Sequence, residues 1–361
     1  MSNENKTVVV GMSGGVDSSV CAYLLKEQGY KVVGLFMQNW QSEPGEKCSS
    51  EIDFCDASDV CDKLDIPLHK ANFSNEYWDR VFEDFLKEHR AGRTPNPDIL
   101  CNREIKFKSF LNYALSIGAD FIATGHYASL KHINEKTYLC RAKDKEKDQT
   151  YFLHEVKEDE FKKCIFPLSK LYKYEVRKIA EDINLSVSKK KDSVGICFVG
   201  EKNLKDFLGR FINLEKGPIY DEYGNKIGTH NGATLYTKGQ RQGLNIGGIK
   251  DKEDLPWYVF DKNITDNHIF VCQGIDNELL FSDELECNKI SWINDEGHSF
   301  PKECSVQIRH QHTAVKCIVE KTKSGYLIKF KESIRGVAPG QSAVLYHKSI
   351  CLGGGVISNT N

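Results

Sequence analysis

The chain has 361 residues, 40% hydrophobic and 28% charged, with a formal net charge of −2. That length calls for two or three domains, and that composition describes an ordinary folded protein and excludes a disordered one. No apolar run approaches the ~18 residues of a membrane span, and the opening Met1-Ser2-Asn3-Glu4-Asn5-Lys6 is too polar for a secretory leader; with thirteen cysteines, this predicts a reducing, cytoplasmic setting.

In chain order, Thr7-Val8-Val9-Val10 predicts a buried strand, and Val20, Leu24 and Leu25 give the next segment a helical stripe. The residues between them, Gly11-Met12-Ser13-Gly14-Gly15-Val16-Asp17-Ser18, form a strand–glycine–helix junction. Its glycines permit close backbone approach, and the helix N-terminus offers unpaired N–H groups to phosphate. No Lys lies between Lys6 and Lys26, so this is not a Walker loop. Ser13-Gly14-Gly15-Val16-Asp17-Ser18 instead resembles the pyrophosphate loop of adenylating enzymes, with Asp17 expected to hold Mg²⁺ or to fix the loop.

Strand-like runs at 32–37, 67–71 and 121–124 then alternate with helical patterns at 52–64, 78–86 and 105–117. This alternation predicts an α/β domain: a parallel sheet with helices on both faces, whose strand ends bring the 11–19 loop, Met37 and Gly125-His126 to one crevice. Residues 127–200 are expected to continue with helices such as 174–183. Beyond Gly200, closely spaced glycines mark a small, turn-rich central domain, and from about 280 short alternating runs predict a C-terminal β barrel or sandwich. The predicted boundaries are 1–203, 204–278 and 279–361. Charge is also unevenly placed: residues 251–296 carry twelve acidic residues against three lysines, whereas 302–348 carry nine Lys/Arg against three Glu. Such asymmetry fits either a solvated surface or a phosphate-binding face.

Two cysteines stand out. Cys101 follows the stiff Thr94-Pro95-Asn96-Pro97-Asp98 segment, with Asn102 as expected helix cap, Arg103 and Lys106 favouring a thiolate, and Asp98 placed as acid or base. Cys197 follows Lys189-Lys190-Lys191, whose charge favours a thiolate and suits phosphate. Cys21, Cys61, Cys140, Cys164, Cys272, Cys287, Cys304, Cys317 and Cys351 are expected as small buried hydrophobes. The spacing of Cys48, Cys55 and Cys61 matches no zinc knuckle, and no metal site is expected.

The pyrophosphate loop, Asn96-Pro97-Asp98 with Cys101-Asn102, Gly125-His126-Tyr127, Lys147-Asp148-Gln149, Asp192-Ser193 with Gly195-Ile196-Cys197, Gly239-Gln240-Arg241 and Pro339-Gly340-Gln341 together resemble, in that order, the bacterial tRNA-specific 2-thiouridylase family over nearly the whole chain. The resemblance implies a nucleotide-binding α/β domain, a small central domain, a C-terminal β barrel, and ATP-dependent thiolation of the 2-position of the wobble uridine. By position, Gly11, Met12, Ser13, Gly14, Gly15, Val16, Asp17, Ser18, Met37 and Gly125 would bind ATP with Mg²⁺. Asn96, Pro97 and Asp98 would hold the target base, while His126, Lys147, Asp148, Gln149, Arg309, His310 and Gln341 would contact the tRNA anticodon region. Cys197 would carry a persulfide from a donor protein (a sulfur carrier or a cysteine desulfurase), and Cys101 would be the nucleophile that attacks it, releasing sulfide or leaving a disulfide. Two positions depart from the pattern: relatives often have Tyr at His310 and Thr at Val194. An amidating ligase would explain the loop but neither the two loop cysteines nor the basic C-terminal module.

Overall fold

The computed structural model describes residues 3–40, 49–192, 204–247, 254–294 and 299–361. Strand β1 (Thr7–Met12) is apolar along its whole length because both its faces are covered: Val8 and Val10 pack into one hydrophobic cluster and Val9 into another. It pairs in parallel with β2 (Lys31–Gln38), which pairs with β3 (Leu68–Asn72), and on its other side with β4 (Phe121–Ala123). After β4 the chain makes a hairpin, β5 (Ala128–Ile133) and β6 (Lys136–Arg141), before β7 (Cys164–Ile165) joins β4. The sheet order is therefore β3-β2-β1-β4-β7, and strand order reverses between β1 and β4. Ligands of such sheets sit outside the strand ends at that reversal.

Helices α1 (Val16–Glu27) and α2 (Ser49–Leu64) cover one face through Val20, Leu25, Val60 and Leu64. The continuous helices 74–90 and 97–116 cover the other through Val81, Phe85, Ile105 and Phe110, and each widens to π-helical turns, at Trp78–Phe82 and Cys101–Ser109. The α/β reading thus holds, with helices on both faces.

The helix expected at 174–183 stands at Lys173–Asp182, and ahead of it the chain makes an unexpected hairpin over 128–141. Its turn places both Asn134 and Glu135 at positive φ (47° and 65°), the two-residue geometry that matches strand twist. Glu at the second position hides the usual Asn-Gly signal. The hairpin also crosses a predicted boundary: Cys140 of β6 pairs with Ile350, so it extends the C-terminal sheet.

The central unit has its own four-stranded sheet, formed by β8 (Gly217–Asp221), β9 (Lys226–His230), β10 (Trp257–Asn263) and β11 (His268–Gln273) in the order β10-β11-β8-β9, over Ile219, Val259, Ile269 and Val271. The C-terminal unit comprises β12 (Phe281–Cys287), β13 (Ser291–Trp292), β14 (Lys302–Gln307), β15 (Val315–Lys321), β16 (Tyr326–Arg335), β17 (Ser342–His347) and β18 (Ile350–Thr360). Six of them run β12-β16-β15-β14-β17-β18, and β12 pairs back onto β18, which closes a barrel around Leu285, Val306, Val319, Ile328, Leu345 and Ile357. Among the described residues no helix is long and apolar enough to cross a membrane.

Candidate active site

The loop between β1 and α1 is held by its own serines. Ser18 Oγ accepts from the Ser13 amide at 3.2 Å and donates to the Gly15 carbonyl at 3.1 Å, and Ser19 Oγ donates to the same carbonyl at 2.8 Å. Gly14 lies at φ +68°, and a Cβ there would fall 2.3 Å from the Asp53 carbonyl oxygen of α2. Glycine is required on both counts. Gly125 follows β4 and meets the first turn of α1: its Cβ would fall 2.9 Å from the Ser18 nitrogen. Gly11 backs onto Met37, whose methyl would lie 3.2 Å from an added Cβ. The loop, Met37 and Gly125 therefore share the crevice at the sheet's switch point, and Ser13 is exposed there.

Charged side chains from later in the chain close around this loop. Asp17 accepts from Lys173 Nζ at 2.7 Å through both oxygens and from the Tyr127 hydroxyl at 2.9 Å. Lys173 also pairs with Asp192 at 2.8 Å, and Asp192 with Arg177 at 2.6 Å and Lys147 at 2.9 Å. Partial burial works against charge on Asp192, yet the Lys173 and Lys147 ammonium groups hold it down at about 2. Burial, with the Asp17 carboxylate beside it, lifts the Tyr127 phenol well above its usual range, so it stays a donor. Lys190 donates to the Gly14 carbonyl at 3.0 Å and pairs with Asp53 at 2.7 Å and Asp56 at 2.5 Å. Four cations thus gather at the loop, each paired with carboxylates. Lys173, Arg177 and Tyr127 carried no assigned role in the sequence reading: isolated residues on an ordinary amphipathic helix and at a strand end give no local signal. Asp17 presents one carboxylate beside a phosphate-type loop, which fits Mg²⁺ bound mainly through substrate phosphates.

The cap of the second site is Asn96, not Asn102. Asn96 Oδ1 accepts from the Asp98 amide at 3.1 Å and Pro97 takes the first helical position. Cys101 therefore sits beyond the first turn of the helix that Asn96 caps, where the helix-terminus field has largely faded. It is buried at 1% exposure, one turn from half-buried Asp98. Asn102 instead donates to the Phe152 carbonyl at 3.1 Å, inside the helix. Cys197 lies outside the described residues, as do Ser193, Val194, Gly195 and Ile196.

The residues expected at tRNA divide by environment. His126 is buried between Phe107 and Phe166, bonded to Thr124 at 2.8 Å, and burial, then Lys106, push its imidazole far below the usual range. Asp148 is buried, and its carboxylate accepts from the Ala142 amide, the Thr150 hydroxyl and Arg141. Half-buried Lys147 and Gln149 lie nearer the surface, Gln149 accepting from the Tyr127 amide at 2.9 Å. Arg309 donates to the Lys238 and Gly336 carbonyls at 2.7 and 2.9 Å. His310 meets the Asp148 carbonyl at 2.7 Å and packs at a tilt against Phe152, ring centroids 4.6 Å apart. Gln341 donates to the Thr94 carbonyl at 2.6 Å. Gln307, which the sequence reading missed, shapes the Arg309-His310 turn by donating to both of their carbonyls.

Comparison with known proteins decides the family. Residues 6–201 match the family described as tRNA methyl transferase HUP domain, 205–273 its PRC-barrel domain, and 282–357 an aminomethyltransferase beta-barrel domain. The tRNA-specific 2-thiouridylase MnmA of Pseudomonas savastanoi pv. phaseolicola is 52% identical over 98% of this chain and 95% of its own length, and that of Pseudomonas fluorescens SBW25 is 52% identical with the same coverage. The chain belongs to the tRNA-specific 2-thiouridylase family. It is an enzyme of the sulfurtransferase class. Burial pushes the thiols of Cys272, Cys287 and Cys351 up to about 12, which leaves these three inert as nucleophiles.

Proposed function

We propose that the protein thiolates the 2-position of the wobble uridine of tRNA, through an ATP-derived adenylate and a cysteine persulfide. The observation that supports this most directly is the pyrophosphate-type loop at the β1/β4 switch point in a chain of this family. The uracil 2-oxygen is a poor leaving group. Its attack on the α-phosphorus of ATP expels pyrophosphate and leaves AMP on the base. The loop amides from Gly14 to Asp17 and the positive end of α1 face the departing diphosphate, and Lys173 and Lys190 exchange carboxylate partners for phosphate. Mg²⁺, held through Asp17, would supply further charge neutralisation.

In this reading Asn96, Pro97 and Asp98 hold the flipped uridine at the start of the 97–116 helix. Sulfur arrives on Cys197 as a persulfide from a sulfur-carrier or desulfurase protein. Cys101 attacks the inner sulfur; the outgoing hydrosulfide adds to C2, and AMP leaves with the former 2-oxygen. The Cys101–Cys197 disulfide that results must be reduced by an external thiol before the next turnover. The deciding test is pyrophosphate release from ATP by the purified enzyme: it is expected only when tRNA is present. Release that is independent of tRNA but dependent on a carboxylic acid would favour a ligase.

Salt dependence checks the RNA side. If exposed Lys316, Lys321, Lys323 and Lys331 of the barrel meet phosphates, tRNA affinity falls steeply with salt. Sequence alone suggests that Arg309→Ala removes one phosphate contact and flattens the slope by about one unit. Because its guanidinium already ties the Lys238 and Gly336 carbonyls, the expected change is smaller than that, with affinity falling through a loosened domain joint. A full-unit change in a filter-binding titration would return Arg309 to the phosphate face.

A further inference from the structure

The segment 92–96, just ahead of the Asn96 cap, is gripped by all three structural units. Gly92, at φ +73°, sits where an added Cβ would fall 2.1 Å from Ile264, in the turn between β10 and β11 of the central sheet. Arg93 makes a two-pronged pair with Glu88 of the 74–90 helix. Each polar group of Thr94 then has a partner in one of the other two structural units. Its amide donates to the Pro339 carbonyl at 3.2 Å, its carbonyl accepts from Gln341 at 2.6 Å, and its hydroxyl meets the Thr237 hydroxyl of the central unit at 2.7 Å. Gly340 permits the barrel's approach: a Cβ there would lie 2.6 Å from the Thr94 nitrogen.

We infer that Thr94 is a positioning residue for thiolation, through which the central domain, by way of Thr237, sets the start of the helix that carries Asp98 and Cys101. The inference rests on the function proposed above. Pro95 and Pro97 make the link rigid: Pro95 biases Thr94 toward extended backbone and Pro97 fixes the first helical residue. Movement at Thr94 is therefore passed along the chain to Asn96 and Asp98 with few torsions to absorb it. It also gives the central unit a part in a reaction whose other assigned residues all lie outside it.

The test is a double-mutant cycle read as steady-state formation of 2-thiouridine with saturating ATP, a persulfide donor and a reducing thiol. Thr94→Val and Thr237→Val are each expected to lower kcat about tenfold or more, since small misplacements of reacting groups are costly. KM for tRNA and the melting temperature should stay near wild type. The double variant should lose no more than either single one, because both remove the same contact. Thr94→Ser keeps the hydroxyl and should restore the rate. Wild-type kcat in Thr94→Val, additive losses, or parallel falls in kcat, tRNA affinity and melting temperature would each overturn the inference while leaving the proposed function standing. A wild-type enzyme that forms no 2-thiouridine would overturn both.

Discussion

Replacing Cys197 by Ser is expected to abolish thiolation while tRNA-dependent pyrophosphate release continues, since a hydroxyl cannot carry a persulfide. Replacing Cys101 by Ser is expected to leave persulfide loading on Cys197 intact and to stall transfer. The asymmetry follows from where Cys101 stands. Cys101 is buried at 1% exposure inside a helix started by an Asn96 cap and Pro97, and the Thr94 contacts hold that start against two other units. Such a thiol suits action on a substrate brought to it and is poorly placed to meet a donor protein. Alkylation after incubation with a sulfur donor, followed by mass spectrometry, reads the label directly. Label on Cys101 in the wild type, together with 2-thiouridine formed by Cys197→Ser, would reverse the roles.

Asp17→Ala should suppress tRNA-dependent pyrophosphate release by about 10²- to 10³-fold, the range seen when a preorganised electrostatic contact is removed. Asp17 is the shared acceptor of Lys173 and the Tyr127 hydroxyl, so its loss frees the hydroxyl, leaves Lys173 to Asp192, and removes the carboxylate placed to hold Mg²⁺. Binding of tRNA should change little, because the loop faces the nucleotide. Gly14→Val should give a similar loss by a different route. A β-branched residue at φ +68° is strained, and its Cβ would collide with the Asp53 carbonyl, pushing the loop off α2. Pyrophosphate release at the wild-type rate in either variant would remove the loop from the chemistry.

Much of the nucleotide site was legible because its parts are contiguous. Strand, glycine loop and helix fall within residues 7–27, so β-branching, the adjacent Gly14-Gly15 and a helical stripe identify it locally. The alternation of strands and helices to residue 123 is legible for the same reason. The 128–141 hairpin was not: Glu135 stands where glycine would have marked the turn, and the strand pairs with β18 more than 200 residues away. Nor were Lys173, Arg177 and Tyr127 legible as loop partners. A lysine on an amphipathic helix looks the same whether it faces water or Asp17. The Asn96 cap was missed because Asn102 offered an equally plausible one, and Pro97 alone does not say whether a helix starts or a loop continues.

By itself the sequence determined the doubly covered parallel sheet, the pyrophosphate-type loop, the turn-rich middle and the β-rich end, since hydrophobic period and glycine placement act over a few residues at a time. Only the tertiary structure decided which charges meet. It brought Asp17 to Lys173 and Asp192, His310 to the Asp148 carbonyl, and the Thr94 contacts to one junction, and it buried Asp148 and His126 within the fold. Hydrogen bonds and ion pairs of this kind act within a few ångströms and are indifferent to sequence separation, so nothing in the local pattern announces them.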